Sequence, residues 1–187
     1  NGQGGGAATD REDIRLALWF SGNPIEPGED DIFDEIAKRE SSEHLRFIRW
    51  DEPEECQRKL LSLLVEELKL AGPDDLRGFD LALGGKEVGP YVYFNVGAAT
   101  AAESWQVLSP VHALAHGVEA INRRVHQQFR KHWLDLARQR WRKIPKPFGG
   151  EEIVYGDKVI NVMNHKRDGE RVYPREGADE YIANGEI

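Results

Sequence analysis

Residues 105–130, WQVLSPVHALAHGVEAINRRVHQQFR, set an apolar segment, a loop and an amphipathic run end to end, and that order limits the folds open to the chain. Trp105, Val107 and Leu108 make a run of strand length. Ser109-Pro110 closes it, because proline has no backbone donor and drives the preceding residue away from helical geometry. Beyond the loop, Val118, Ile121, Val125, Phe129, Trp133 and Leu136 recur every three or four residues and share one helical stripe. The spacing predicts a strand ending at Ser109, one helix over residues 117–142, and a core seam of Val107, Leu108, Val118, Ile121, Val125 and Phe129. Arg123, Arg124, Arg130 and Lys131 fall mostly on the opposite side.

The flanks supply further elements. Residues 1–8, NGQGGGAA, carry nothing to bury and read as a flexible lead-in. Thr9 and Glu12 have capping-box spacing ahead of Ile14, Ala17 and Leu18, predicting a helix over residues 10–20 that Gly22 and Pro24 end. Ile32 and Ile36 mark a shorter helix over residues 30–38. Residues 44–50, HLRFIRW, suit a strand, and Asp51 with Glu54 suits the cap of a helix running through Leu60, Leu63, Leu64 and Leu68 to about Leu70. Strand and helix alternate, which predicts an α/β architecture with a parallel sheet flanked by helices. Residues 74–104 read as an insertion, with Tyr91-Val92-Tyr93-Phe94 in a hairpin on the sheet edge. Residues 152–164 alternate in the manner of β-strands and give way to a polar turn.

At 187 residues and 40% hydrophobic, the chain can build one ordinary core, and no apolar run approaches the ~18 residues that a membrane span needs. The lone Cys56 excludes an internal disulfide and suggests a half-buried thiol in a reducing, cytoplasmic setting. The net charge is −8, unevenly spread. Residues 26–55 hold twelve acidic and four basic side chains, whereas residues 112–146 hold nine basic and two acidic. Such asymmetry makes a local electropositive face possible on an acidic chain, although a solvated helix face explains it equally well. Met163 is the sole methionine, and the Asn184-Gly185 turn has no strand after it, so the chain reads as an internal piece of a longer protein.

Leu108-Ser109-Pro110-Val111-His112 followed by Gly117, Val118, Ile121 and Asn122 resembles a segment of RecD-like superfamily 1 DNA helicases, the exonuclease V alpha subunit family. Ala113 and Leu114 depart from that pattern, which carries a basic residue and a glycine there. Ile14, Ala17, Gly22, Pro24 and residues 47–68 resemble earlier parts of the same motor domain, in the same order. The most specific likeness is Tyr155-Gly156-Asp157-Lys158-Val159-Ile160 with Asn164 and Asn184-Gly185-Glu186-Ile187. The resemblance implies part of a second RecA-like domain over residues 9–147, with the insertion at 74–104, and the start of an SH3-like β subdomain over 148–187. It further implies a parent ATP-dependent helicase using ATP and Mg2+, with single-stranded DNA and nuclease or helicase subunits as partners.

A motor needs a glycine-rich phosphate loop ending in Lys-Ser/Thr and acidic residues for magnesium. These 187 residues contain no such loop, and Gly84-Gly85-Lys86-Glu87 lacks the hydroxyl residue and the upstream glycine. Catalytic residues are therefore expected outside this stretch, with the phosphate loop upstream of it. His112, His116, His126 and His132 lack metal-ligand spacing and read as solvated. Gly156-Asp157 reads first as a tight turn whose aspartate bonds nearby amides. The candidate DNA contacts are Lys158, the Asn164, His165, Lys166 and Arg167 turn, and Arg123 with Arg124. The rival reading is a non-motor nucleic-acid-binding or scaffold module of the same fold.

Overall fold

The computed structural model describes residues 11–22, 30–38, 42–94, 97–141, 144–160, 165–166 and 181–182. It divides into two units, 1–51 and 52–187. In the first, α1 (Glu12–Trp19) and α2 (Asp31–Lys38) pack through an edge contact of Trp19 on Phe33, 5.0 Å between ring centres. Ile32 is fully buried, and Arg15 bonds Glu35 at 3.0 Å. The N-cap of α1 is Arg11, without a side-chain cap bond, while Glu12 and Asp13 offset the positive end of the helix dipole. The predicted capping residue Thr9 lies outside the described residues. The strand predicted at 44–50 is not formed: Arg46 makes a single bridge, and the backbone of Leu45 turns back onto Ser42. A strand needs a ladder partner, and none is described beside it.

The second unit opens with α3 (Pro53–Glu67). Its N-cap is Glu52 rather than the predicted Asp51, because Pro53 takes the first helical position, where its fixed φ and missing donor cost nothing. The end is a Schellman closure, Leu70 N–H to Val65 carbonyl and Lys69 N–H to Glu66 carbonyl, with Lys69 in the left-handed region at φ 55°. That closure delivers Leu70 into the same core as Leu64. Next comes α4 (Leu76–Ala82), capped by Asp75, whose carboxylate accepts from Ala71 N–H at 2.9 Å and Gly78 N–H at 2.8 Å. These two bonds hold its pKa below the usual aspartate value.

Residues 86–93 form the predicted hairpin, β1 (Lys86–Val88) against β2 (Tyr91–Tyr93), with Val88 opposite Tyr91. Among the described residues no further strand joins it, so the expected place on a larger sheet's edge is not seen. After α5 (Ala98–Ala102) come α6 (Val118–Phe129) and α7 (Lys131–Arg138), then β3 (His165–Lys166) paired antiparallel with β4 (Tyr181–Ile182). Among the described residues both sheets are two-stranded and antiparallel, so the chain is mixed helix and strand, and the predicted parallel sheet is not seen. The single helix predicted over 117–142 is instead two, broken at Arg130, whose φ of −108° and ψ of 2° leave the helical region.

The core of the second unit joins Leu61, Leu64, Leu70, Phe79, Leu83 and Phe129, with Val125 and Trp105 packed against it. Phe79 and Phe129 stack nearly parallel at 4.3 Å, and Trp105 Nε1–H bonds the Ala82 carbonyl at 3.0 Å. Phe129 and Val125 thus sit where the helical stripe puts them, and Val118 and Ile121 are half-buried. Val107 and Leu108 do not join the seam; they are 38% and 85% exposed. The predicted strand over 105–109 makes no ladder, so nothing turns Leu108 inward once Trp105 has taken the core position.

Phe79→Ala is expected to cost ~3–5 kcal/mol by urea unfolding. Leu108→Ala should stay within ~0.5 kcal/mol, and a larger loss would mean that a sheet covers it. Asp75→Ala should cost ~1 kcal/mol near neutral pH. Because the folded-state pKa of Asp75 is depressed, its stabilisation is present above the unfolded value and fades as pH falls through the folded one. The gap between wild type and Asp75→Ala in acid titrations should therefore close, and a gap constant with pH would point away from the cap.

Candidate functional site

The most organised polar arrangement surrounds Arg130, which is 2% exposed. Three segments bring its partners. Asp80 lies on α4 directly after the core residue Phe79, and is itself buried. The break between α6 and α7 frees Arg130 from the helical stripe; its N–H bonds the His126 carbonyl at 2.8 Å while its own carbonyl starts α7 by accepting from Leu134. The turn at 154–157 supplies Tyr155 and Asp157.

The guanidinium donates Nε–H to Asp157 Oδ1 at 2.7 Å, one terminal nitrogen to Asp80 Oδ1, and the other to the Tyr155 carbonyl at 2.6 Å. Asp80 Oδ2 accepts Trp133 Nε1–H at 2.8 Å, with His132 Nε2 3.1 Å away. Asp157 Oδ2 accepts Val154 N–H at 2.8 Å, and the Asp157 N–H returns to the Val154 carbonyl at 3.1 Å. His126 Nε2 lies 3.3 Å from that oxygen but off the hydrogen-bonding direction, so the contact is one of ion-pair range only. Phe94 and Trp133 face the guanidinium at 5.5 and 5.7 Å, and Tyr155 packs edge-on to both rings. Gly156, at φ +85°, is required twice over: the conformation suits glycine, and a Cβ would collide with the Phe94 ring.

Two carboxylates, two imidazoles and an arginine suggest acid–base chemistry at first sight, but the guanidinium spends its donors on groups that would otherwise act. With the guanidinium donors taken up, the cluster works as a clamp between α4, the α6–α7 junction and the 154–157 turn, while His126 Nε2 and His132 Nδ1 have no hydrogen-bond partner among the described residues. The turn read at Gly156-Asp157, with its aspartate accepting from a nearby amide, is what the structure has, but the β-strand expected around it is not formed: residues 152–160 make only the single bridge of Ile153 to Phe148. Arg130 on the solvent side and His126 and His132 as solvated groups are corrected: all three pack against carboxylates in the interior or at its edge. The signal that marks Asp80 is its place between Phe79 and Leu81 in a helix, where a lone acid needs a buried partner.

The residues selected as nucleic-acid contacts fall in three places. Arg123 and Arg124 are adjacent and exposed on α6, with no ion pair among the described residues. Lys158 is half-buried, its ammonium donating to the Ala102 carbonyl at 2.9 Å and lying 3.9 Å from Glu103. His165 and Lys166 belong to β3, so the expected projecting turn is strand at those two positions, and Asn164 and Arg167 lie outside the described residues. Among the described residues no group of three or more side chains could hold a metal ion. A groove of about 600 Å3 in the first unit is lined mostly by apolar residues, including Leu16, Phe33, Phe47 and Trp50, with Arg49 and Asp51 also on its wall.

Arg130→Ala should destabilise the chain by ~3–5 kcal/mol, because it strands two carboxylates inside. Arg130→Met combined with Asp80→Leu and Asp157→Asn, which leaves no carboxylate stranded, should recover much of that loss in chemical unfolding, and no recovery beyond Arg130→Ala would mean that the stranded charges are not its cause. Comparison with known proteins adds no relative: no family model matches the chain, and neither curated proteins nor solved structures give a significant match.

Proposed function

We propose that the chain is part of the second motor domain of a RecD-type ATP-dependent DNA helicase, running into its SH3-like β subdomain and contributing contacts to single-stranded DNA. One structural observation supports a nucleic-acid role beyond the sequence likeness. Several exposed cations are neutralised locally, Lys59 by Glu55 at 2.8 Å, Arg77 by Glu87 at 2.7 Å and Lys131 by Asp135 at 2.8 Å. Arg123 and Arg124 are left unpaired side by side among the described residues, one turn into a helix that the Ser109–Gly117 loop feeds. Two sequence-adjacent guanidiniums without an ion pair among the described residues suit phosphates of a backbone, recognised without regard to base.

In this reading the apolar side chains exposed at Phe47, Trp50, Val107 and Leu108 belong to strands that acquire their sheet neighbours in the longer protein, which is where the RecA-like parallel sheet would be completed. ATP and Mg2+ belong to the parent's phosphate loop and acidic residues, which these 187 residues lack. Lys166 with Arg167 remains a second contact of the proposal, on β3 and beyond.

The chain alone is expected to hydrolyse no ATP, with or without single-stranded DNA; turnover above background would remove the assignment of the chemistry to other parts. It is expected to bind oligothymidylate at low salt. Each phosphate contact adds roughly 0.7 to the slope of log affinity against log salt, so Arg123→Glu with Arg124→Glu should lower that slope by about 1.4 and weaken all sequences alike. Absence of any binding at low salt would overturn the reading.

A further inference from the structure

Tryptophan is the side chain that most rewards burial, and the second unit uses it accordingly: Trp105 packs on the core and Trp133 lines the Arg130 clamp. Trp141 is the exception, 85% exposed. α7 stops at Arg138, Gln139 turns to an extended φ of −65° and ψ of 147°, and Trp141 follows two residues later on the surface. The Arg140 guanidinium lies 5.4 Å from the centre of its ring. The surrounding sequence RQRWRKIPK holds five cations and no acid, and of these Arg138 is paired with Glu152. An exposed indole amid cations fits poorly with a protein partner, since the buried centres of such interfaces are depleted of charge. It fits a polyanion that also carries flat apolar faces.

We propose that Trp141 is a stacking platform for an unpaired nucleotide base, with Arg140 covering one part of the ring and holding the adjoining phosphate. The inference rests on the single-strand-binding reading above and names the part of the ligand that the arginines of α6 do not recognise. Base stacking tolerates any sequence because every base has a π-face, and arginine strengthens it through cation–π attraction.

The test compares oligothymidylate with an abasic oligomer of equal length, titrated into the 187-residue chain at one low salt concentration. Wild type should prefer the thymidylate. Trp141→Ala should weaken thymidylate binding by roughly 5- to 150-fold. It should leave abasic binding within about twofold, while Trp141→Phe keeps part of the preference. Thermal melts should coincide for all three proteins, since the ring is exposed. Unchanged thymidylate affinity in Trp141→Ala, or an equal loss on both oligomers, overturns the platform while leaving the backbone contacts of Arg123 and Arg124 standing. Failure of wild type to bind either oligomer overturns both proposals.

Discussion

Burying a guanidinium obliges a fold to surround it with acceptors, because stripping water from a full charge costs several kcal/mol and the attraction to one partner alone does not return it. Arg130 meets that condition with two carboxylates and a carbonyl drawn from positions 50 residues before it and 25 and 27 after it. The helix break coincides with this residue. The break falls at the clamped residue itself, between the core residue Phe129 and the exposed Lys131, where the backbone leaves helical geometry for one residue.

Two consecutive residues on each side build the junction. Phe79 stacks on Phe129, and directly beside them Asp80 pairs with Arg130. The two contacts need each other. The stack keeps water away, which strengthens the ion pair through the low local dielectric. The ion pair supplies what a stack lacks, a directional bond that selects one register of α4 against the α6–α7 junction. Apolar area alone would tolerate a shift of either helix; the forked donors of arginine would not.

The features legible in the sequence are those that depend on near neighbours. The stripes of α1, α2 and α3 follow from spacing, and so do the inward positions of Leu64, Val125 and Phe129. The 86–93 hairpin and the Gly156-Asp157 turn are equally local. What the sequence left hidden is what depends on distant partners. Residues 44–50 and 105–109 have strand composition, yet a strand exists only where another chain segment offers a ladder, and that is a property of the neighbour. Arg130 sits in a run of cations and carries no mark of being the inward one. His126 and His132 looked solvated because the carboxylates beside them come from residues 31 and 52 positions away.

The same distinction sorts the arginines of the basic stretch. Arg130 faces inward and is neutralised; Arg123, Arg124 and Arg140 face outward, with no acid paired to them among the described residues. The net charge of −8 does not weaken their attraction for an anion, because at ~0.1 M salt an exposed charge is felt over only about 10 Å. Within that range the acidic run at 26–55 matters only if it lies close by, whereas neighbours on the same helix always count. Glu119 is the one acid on α6, at its first turn, where the helix dipole favours it. Glu119 lies four residues before Arg123 and offsets part of its charge, but the two arginines outnumber it, so an acidic chain can still carry a locally basic stretch.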